Sequence, residues 1–304
     1  MREGEMLKIV VPASTANLGP GFDSIGLAVS RYLTLEVMLS NKWEFVPKTD
    51  EVKEIPTGKE NLIFKVADKL AKQYDVELPP CLVYVYSNIP FTRGLGSSAA
   101  AIVAGIELAN ELGGLCLSQQ EKLRFASEYE GHPDNVGASL YGGLVIGSHR
   151  QDETDVVHVP MIDLDLVVVI PPYEMETKKA RNVLPNEFSR SYAVEASAVS
   201  NVLVAALLMG NWELAGKMMD LDLFHQPYRS PLVPELDSVR ALAKQHGAFG
   251  VALSGAGPTV ICFAEKGNGA RLYEKLATMF PTHQVEQLSV ETQGSRLYKM
   301  ALEK

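Results

Sequence analysis

The chain predicts an α+β fold in two domains. Three observations carry this. Segments with strand alternation and segments with helical spacing follow one another without a regular strand-helix rhythm, which disfavours a doubly wound parallel sheet. A length of 304 residues suits two domains or one large one. The composition, 46% hydrophobic and 21% charged, is globular.

LKIVV opens as a strand, passes through a Gly/Pro/Asn turn, and meets a long alternating run from Ile25 to Leu39, which makes an antiparallel start. Leu62, Ile63, Val66, Ala67, Leu70 and Tyr74 recur at helical spacing, so residues 60–74 form an amphipathic helix. CLVYVYS is the next strand and feeds the stretch IPFTRGLGSSAAAIVAGIELA, whose Ala-rich part is helical from about Ser98 to Glu111. SQQE at 118–121 has capping-box spacing, so a helix starts there and runs to Glu130, where Gly131 stops it. YGGLVIGS, VVHV and LVVVI are strands, with a domain boundary placed between residues 157 and 158. Beyond it, helices at 191–209 and 235–246 alternate irregularly with strands FGVALSG, TVICFAE and QVEQLSV.

A net charge of −9 disfavours broad attraction to nucleic acid or an anionic membrane. Cys81, Cys116 and Cys262 are odd in number and far apart, in neither disulfide nor metal spacing, and predict buried thiols in a reducing cytoplasm. The N-terminus lacks the apolar run of a signal peptide. The most apolar helical stretch, ASAVSNVLVAALLMG, falls short of the roughly 20 residues that cross a bilayer. A soluble protein is expected.

Gly94 and Gly96 allow the backbone to approach a bulky anion, and the helix starting at Ser97 or Ser98 aims its free N–H groups at the same place. Serines that merely cap the helix explain the same letters. No Gly-x4-Gly-Lys-Ser/Thr occurs, and GLGSSA lacks the remainder of a dinucleotide fingerprint. Pro90-x-x-x-Gly-Leu-Gly-Ser-Ser-Ala-Ala instead resembles the signature of the GHMP kinases. PASTANLGPGFD at 12–23, EGHPDNVGASLYGGL at 130–144 and SGAGPT at 254–259 resemble further motifs of that family, in the family's order. The resemblance implies an N-terminal, ATP-binding domain (1–157) like the second domain of ribosomal protein S5, followed by a ferredoxin-like domain (158–304).

It further implies ATP as cofactor, with Pro90, Arg93, Gly94, Leu95, Gly96, Ser97, Ser98 and Ala99 along the nucleotide. With no loop lysine, Mg²⁺ must neutralise more of the triphosphate. The matching family residues make Ser98 and Glu130 its ligands. Read by itself, Glu130 in the last turn of a helix is a solvent-exposed carboxylate. Asn61 is a candidate for the adenine edge or, equally, an N-cap. SGAGPT is a tight hairpin, and in the family it packs on the nucleotide loop.

The N-terminal motif and two Arg-bearing, Pro-flanked loops resemble the branch of the family whose acceptor is L-homoserine. Arg181 and Arg229 are then expected to grip the carboxylate through paired guanidinium forks. Thr177 assists beside Arg181. Asn17 and Asp23 would take the ammonium, although Asx residues in such turns also serve the backbone. His132, Asp134 and Asn135 come after Glu130 on a loop beside the attacking hydroxyl. Asn135 is expected to position that hydroxyl, and His132 to bind substrate or order the loop. Asp134 is a base candidate with an ordinary pKa near ~3.9, poorly matched to an alcohol. The alternative is a proton that passes late to the phosphate. The implied reaction is direct in-line phosphorylation of L-homoserine. Rivals are a mevalonate-type kinase, which should lack the paired arginines, and a sensor that keeps the fold without the chemistry. A homodimer is a family expectation only.

Overall fold

The computed structural model describes residues 4–301. The first sheet is built from β1 (Glu5–Ala16), β2 (Ile25–Leu39), β3 (Glu44–Pro47), β4 (Cys81–Ser87), β5 (Leu144–His149) and β6 (Thr154–Val159). Its 15-residue strand β2 serves two partners on one side, β5 through residues 25–27 and β4 through residues 33–39, while β1 covers its other edge. The β1–β2 register shifts between Pro12 and Ala13, where the proline cannot donate to a ladder. β3 lies parallel to β4 at the sheet's end.

The second sheet contains β7 (Leu164–Ile170), β8 (Ala248–Leu253), β9 (Val260–Glu265) and β10 (Gln284–Ser289) in the order β10-β7-β9-β8, antiparallel throughout. With helices between β7 and β8 and between β9 and β10, this is the βαββαβ arrangement of a ferredoxin-like domain. Every residue of β7 is buried. Leu166 and Val168 face the large core shared with the first sheet, whereas Val167 and Val169 face a second core.

The division expected at 157/158 cuts through β6, which stays hydrogen-bonded to β5 in the first sheet. β11 (Arg296–Ala301), read as part of the second domain, pairs with β1 and closes the first sheet. None of its residues is β-branched and its last four are exposed, so the strand rests on pairing more than on burial.

Among the helices, α1 (Leu62–Gln73) is capped by Asn61, whose side chain accepts from Ile63 N at 2.9 Å, a cap worth about 1 kcal/mol. It lies close on α2 (Ser97–Gly113) because Gly105 has no side chain: a Cβ there would meet Ile63 O at 2.7 Å. α3 (Gln119–Glu130) begins in the full capping box of Ser118 and Glu121 and stops at Gly131 with φ 95°. The sequence reads the next segment as a loop, but Asp134 opens a buried helix, α4 (Asp134–Tyr141), packed on β1 and β2. Its three small residues, Gly137, Ala138 and Ser139, hide the helical period.

The arginine loops are likewise short helices, α5 (Thr177–Asn182) and α8 (Gln226–Arg229), too short for periodicity to reveal. Between them lie α6 (Arg190–Leu208) and α7 (Trp212–Met219); α9 (Leu236–Gln245) and α10 (Gly269–Met279) cover the second core. Contrary to the sequence expectation, Arg190–Met209 is a 20-residue helix with mean hydropathy 1.6, long and apolar enough to cross a membrane by length and composition. Here it packs on α7 and inserts Leu203, Ala206 and Leu207 into the core. Cys81 and Cys262 are buried, whereas Cys116, against the sequence expectation, is exposed in the loop after α2.

Candidate active site

Both glycines of the 94–96 loop are obligatory. Gly94 (φ 81°) and Gly96 (φ 71°) occupy left-handed backbone, and a Cβ would lie 2.2 Å from Ser254 O at the first and 2.3 Å from Ser14 Oγ at the second. Gly96 is itself the N-cap of α2 and supplies no side-chain cap, so Ser97 and Ser98 are first-turn residues rather than caps. Their hydroxyls and the free N–H groups of that turn line the cleft.

SGAGPT does both things expected of it. It joins β8 to β9, and it clamps the loop: Ser254 Oγ donates to Gly94 O at 2.6 Å, and Thr259 N donates to Arg93 O at 3.3 Å. Leu95 is buried and holds Ser14 N through its carbonyl. Arg93 points away from the cleft, toward Pro172 O (3.1 Å) and Glu174 (3.4 Å), so its side chain ties the loop to the exit of β7. Pro90 and Arg93 line a separate groove beside Glu174, outside the cleft. Ala99 lines the cleft.

An apolar slot continues from Ser97 and Ser98, walled by Leu33, Val52, Ile55, Ile63, Ile89 and Phe91. Asn61 borders it. Its amide is engaged, accepting from Ile63 N and donating to Pro56 O at 2.8 Å, which makes it a cap and brace for the slot.

Glu130 is half-buried in the cleft wall, not solvent-exposed. Burial pushes its carboxyl above the usual range, His132 and the Ser98 hydroxyl pull it back, and Asp134 adds to the rise. A desolvated carboxylate beside the Ser98 hydroxyl suits a hard divalent cation.

His132 Nδ1 lies 2.5 Å from Asp134 Oδ1. Burial works against a charged imidazole, but the Asp134 carboxylate, with Asp23 and Glu130 beyond it, outweighs burial and holds His132 above its ordinary value. The same Oδ1 accepts from Asn135 N at 2.5 Å. The side chain of Asn135 reaches Ser14, whose Oγ donates to Oδ1 at 3.0 Å, so the amide is anchored between β1 and the glycine loop.

Asn17, Leu18 and Asp23 all have positive φ, a tight fold of the 12–23 motif. Asn17 donates to Gly255 O at 2.9 Å and accepts from Asp23 N at 3.1 Å, so its amide spans the two domains as well as lining the cleft. Arg181 does not wait as an open fork. Its Nη1 and Nη2 donate to the two oxygens of Asp23 at 2.9 and 2.8 Å, with Thr177 one turn earlier on the same short helix.

Arg229 differs. It is 2% exposed, its Nε donates to Ala180 O at 3.0 Å, and its Nη1 donates to Gly255 O at 3.1 Å and to His225 Nδ1 at 3.3 Å. No ion pair reaches it among the described residues. Burial first, and Arg181 second, push it down to about 10. With Nε and Nη1 committed, the paired-fork expectation fails for Arg229, which has only Nη2 left to offer. His225, and Asp222 behind it, are unmarked in the sequence and do not line the cleft, but His225 braces Arg229 from within; its signal was its i, i+4 spacing from Arg229.

The cleft therefore sets three carboxyl groups, Asp23, Glu130 and Asp134, against two guanidiniums, Arg181 and Arg229, and the His132 imidazole, around a phosphate-type loop.

Residues 61–143 match the family described as GHMP kinases N terminal domain, and 203–282 match GHMP kinases C terminal. A homoserine kinase of Bacillus licheniformis is 59% identical over 97% of this chain and 96% of its own length. One of Halalkalibacterium halodurans is 53% identical, with coverages of 96% and 95%. The crystal structure of a homoserine kinase from Cytophaga hutchinsonii, 30% identical, superposes with a TM-score of 0.85 over 98% of each chain. A mevalonate kinase structure, 17% identical, shares the fold at a TM-score of 0.70 over 93% of this chain and 99% of its own. By its loop, its two domains and these likenesses, the chain belongs to the GHMP kinase family, in the homoserine kinase branch.

Proposed function

We propose that the cleft transfers the γ-phosphoryl group of ATP directly to the side-chain hydroxyl of L-homoserine, giving O-phospho-L-homoserine, a step toward threonine. The observation that carries the acceptor is Arg229. A buried guanidinium held by carbonyls and an imidazole, with no carboxylate of its own, is an unneutralised charge that an incoming carboxylate satisfies. A mevalonate-type acceptor would use that charge but leave Asp23 without an ammonium.

The apolar slot beside α1 suits the adenine, and the glycine loop with the first turn of α2 suits the phosphates. Ser98 and Glu130 are the residues that would hold Mg²⁺, which when bound neutralises charge on the β- and γ-phosphates. Asp23 takes the ammonium, and Arg181, released from Asp23, joins Arg229 on the carboxylate. Asn135, anchored through Ser14, positions the hydroxyl for in-line attack.

Asp134 fits poorly as general base. One of its oxygens is already engaged by the His132 ring and by Asn135 N, and a carboxylate so occupied is a poor acceptor for the hydroxyl proton. Its role here is to fix His132 and the start of α4, with the hydroxyl proton leaving late toward the phosphate. Location in the cytoplasm, from the cysteine pattern, and a homodimer, on family grounds, are part of this reading.

The test is a panel of hydroxyl acceptors with ATP and Mg²⁺, read by product mass. L-Homoserine gaining one phosphoryl group supports the reading. Turnover of mevalonate with homoserine inert overturns the acceptor and leaves the kinase.

A further inference from the structure

His225 takes no part in phosphoryl transfer as described above, yet it is fully buried and touches the one arginine that carries the acceptor assignment. Its Nε2 lies 2.9 Å from Gly19 O and 3.2 Å from Asp222 Oδ2. Both are acceptors, so Nε2 carries the ring proton. Burial holds the imidazole below its ordinary value, and Arg229 pushes the same way, so the ring is neutral despite Asp222. A neutral ring protonated at Nε2 leaves a lone pair on Nδ1, and that lone pair faces Arg229 Nη1 at 3.3 Å.

The surroundings hold this ring in place. Asp222 accepts from the backbone of Phe224 (2.7 Å) and Gln226 (2.9 Å), fixing the turn into α8. Phe22 stacks on the imidazole with centroids 5.4 Å apart and lies 5.2 Å from the Arg229 guanidinium carbon. Gly19, which supplies the carbonyl, approaches α7 so closely that a Cβ would sit 2.9 Å from Met219 O. Arg229 is thereby fixed through Nε and Nη1, and only Nη2 is left for a ligand.

We infer that His225, with its tautomer set by Gly19 O and Asp222, is a positioning residue that turns Arg229 Nη2 toward the acceptor's carboxylate. This rests on the reading that Arg229 binds that carboxylate. The 12–23 motif then has a double role, carrying Asp23 and fixing the arginine through Gly19 and His225.

Two substitutions separate positioning from packing. His225→Asn puts an oxygen near the place of Nδ1 and retains the acceptor for Arg229. His225→Gln reaches the place of Nε2 and loses it. His225→Gln is expected to raise KM for L-homoserine roughly five- to tenfold, with kcat and KM for ATP changed less than about twofold, and His225→Asn to recover most of that loss. Equal effects of both variants, spread over kcat and the ATP KM, contradict the inference, as does no effect from either. Ring ¹⁵N shifts of His225 in the wild-type protein check the premise without any variant: a neutral ring protonated at Nε2 is expected, and protonation at Nδ1 overturns it. Arg229→Lys distinguishes the two levels. If it leaves the homoserine KM unchanged, the carboxylate reading fails; if it raises KM while His225→Gln does not, only the positioning role fails.

Discussion

Asp23→Asn should change which acceptor the enzyme prefers, for a reason visible in the Asp23–Arg181 pair. In the ligand-free cleft these two side chains satisfy each other through two bonds of 2.8 and 2.9 Å. They are 31% and 38% exposed, so the pair itself is worth only about 0–1 kcal/mol. L-Homoserine replaces it by two interactions, ammonium on Asp23 and carboxylate on Arg181. A hydrogen bond to a charged partner contributes about 1.5–3 kcal/mol, so losing the ammonium contact should lower kcat/KM for L-homoserine roughly 10- to 150-fold. For 4-hydroxybutyrate, which has the hydroxyl and carboxylate but no amine, that loss does not arise. Freeing Arg181 from Asp23 should instead raise its kcat/KM by up to about fivefold. Coupled ADP-release kinetics with both acceptors at saturating ATP measure the ratio. Equal losses for the two acceptors would refute the assignment of Asp23 to the ammonium.

Glu130→Gln should lower kcat strongly while leaving the fold and homoserine binding nearly intact, because the charge it removes matters most as the phosphoryl group transfers; near-wild-type kcat at ordinary magnesium contradicts this. Because burial raises the Glu130 carboxyl, its proton competes with the metal, and apparent Mg²⁺ affinity should fall as pH falls through that raised value. By the same linkage the metal-free protein gains a stability contribution that is full below the unfolded carboxyl pKa and is lost as pH rises through the folded one; melting curves against pH show its sign. Asp134→Asn should slow turnover by much less than the roughly 10²–10⁴-fold expected on losing a general base; a loss in that range, with stability preserved, reinstates Asp134 as the base. Gly96→Ala should abolish ATP binding or folding, since its Cβ would sit 2.3 Å from Ser14 Oγ at a φ of 71°; a variant binding ATP normally by titration contradicts the loop geometry.

What the sequence makes legible is local. Ile25–Leu39 and Cys81–Ser87 can be bounded from alternation, and the Ser118 box with Gly131 brackets α3, because each of these signals is complete within its own segment. β11 is invisible to such reasoning: it depends on β1, at the opposite end of the chain. The helices under Arg181 and Arg229, six and four residues long, are too short for a period to repeat, and α4 is hidden by its small residues.

The site divides the same way. Motifs locate the glycine loop, Glu130, His132 and Asn135, which the fold brings to one cleft. They cannot say what a side chain bonds to. Arg93 faces away, Asn17 and Asn61 serve the backbone, Arg181 is paired with Asp23, and His225 enters only through its contact with Arg229.

The central claim is that a divided charge pattern selects a zwitterionic acceptor: Arg229 and Arg181 for its carboxylate, Asp23 for its ammonium. A crystal structure of the protein with L-homoserine and a non-hydrolysable ATP analogue tests it most directly. The carboxylate is expected on Arg229 Nη2 and Arg181, the ammonium on Asp23 with the Asp23–Arg181 pair opened, and the hydroxyl beside Asn135 facing the γ-phosphate. An intact Asp23–Arg181 pair with the carboxylate bound away from Arg229 would contradict it.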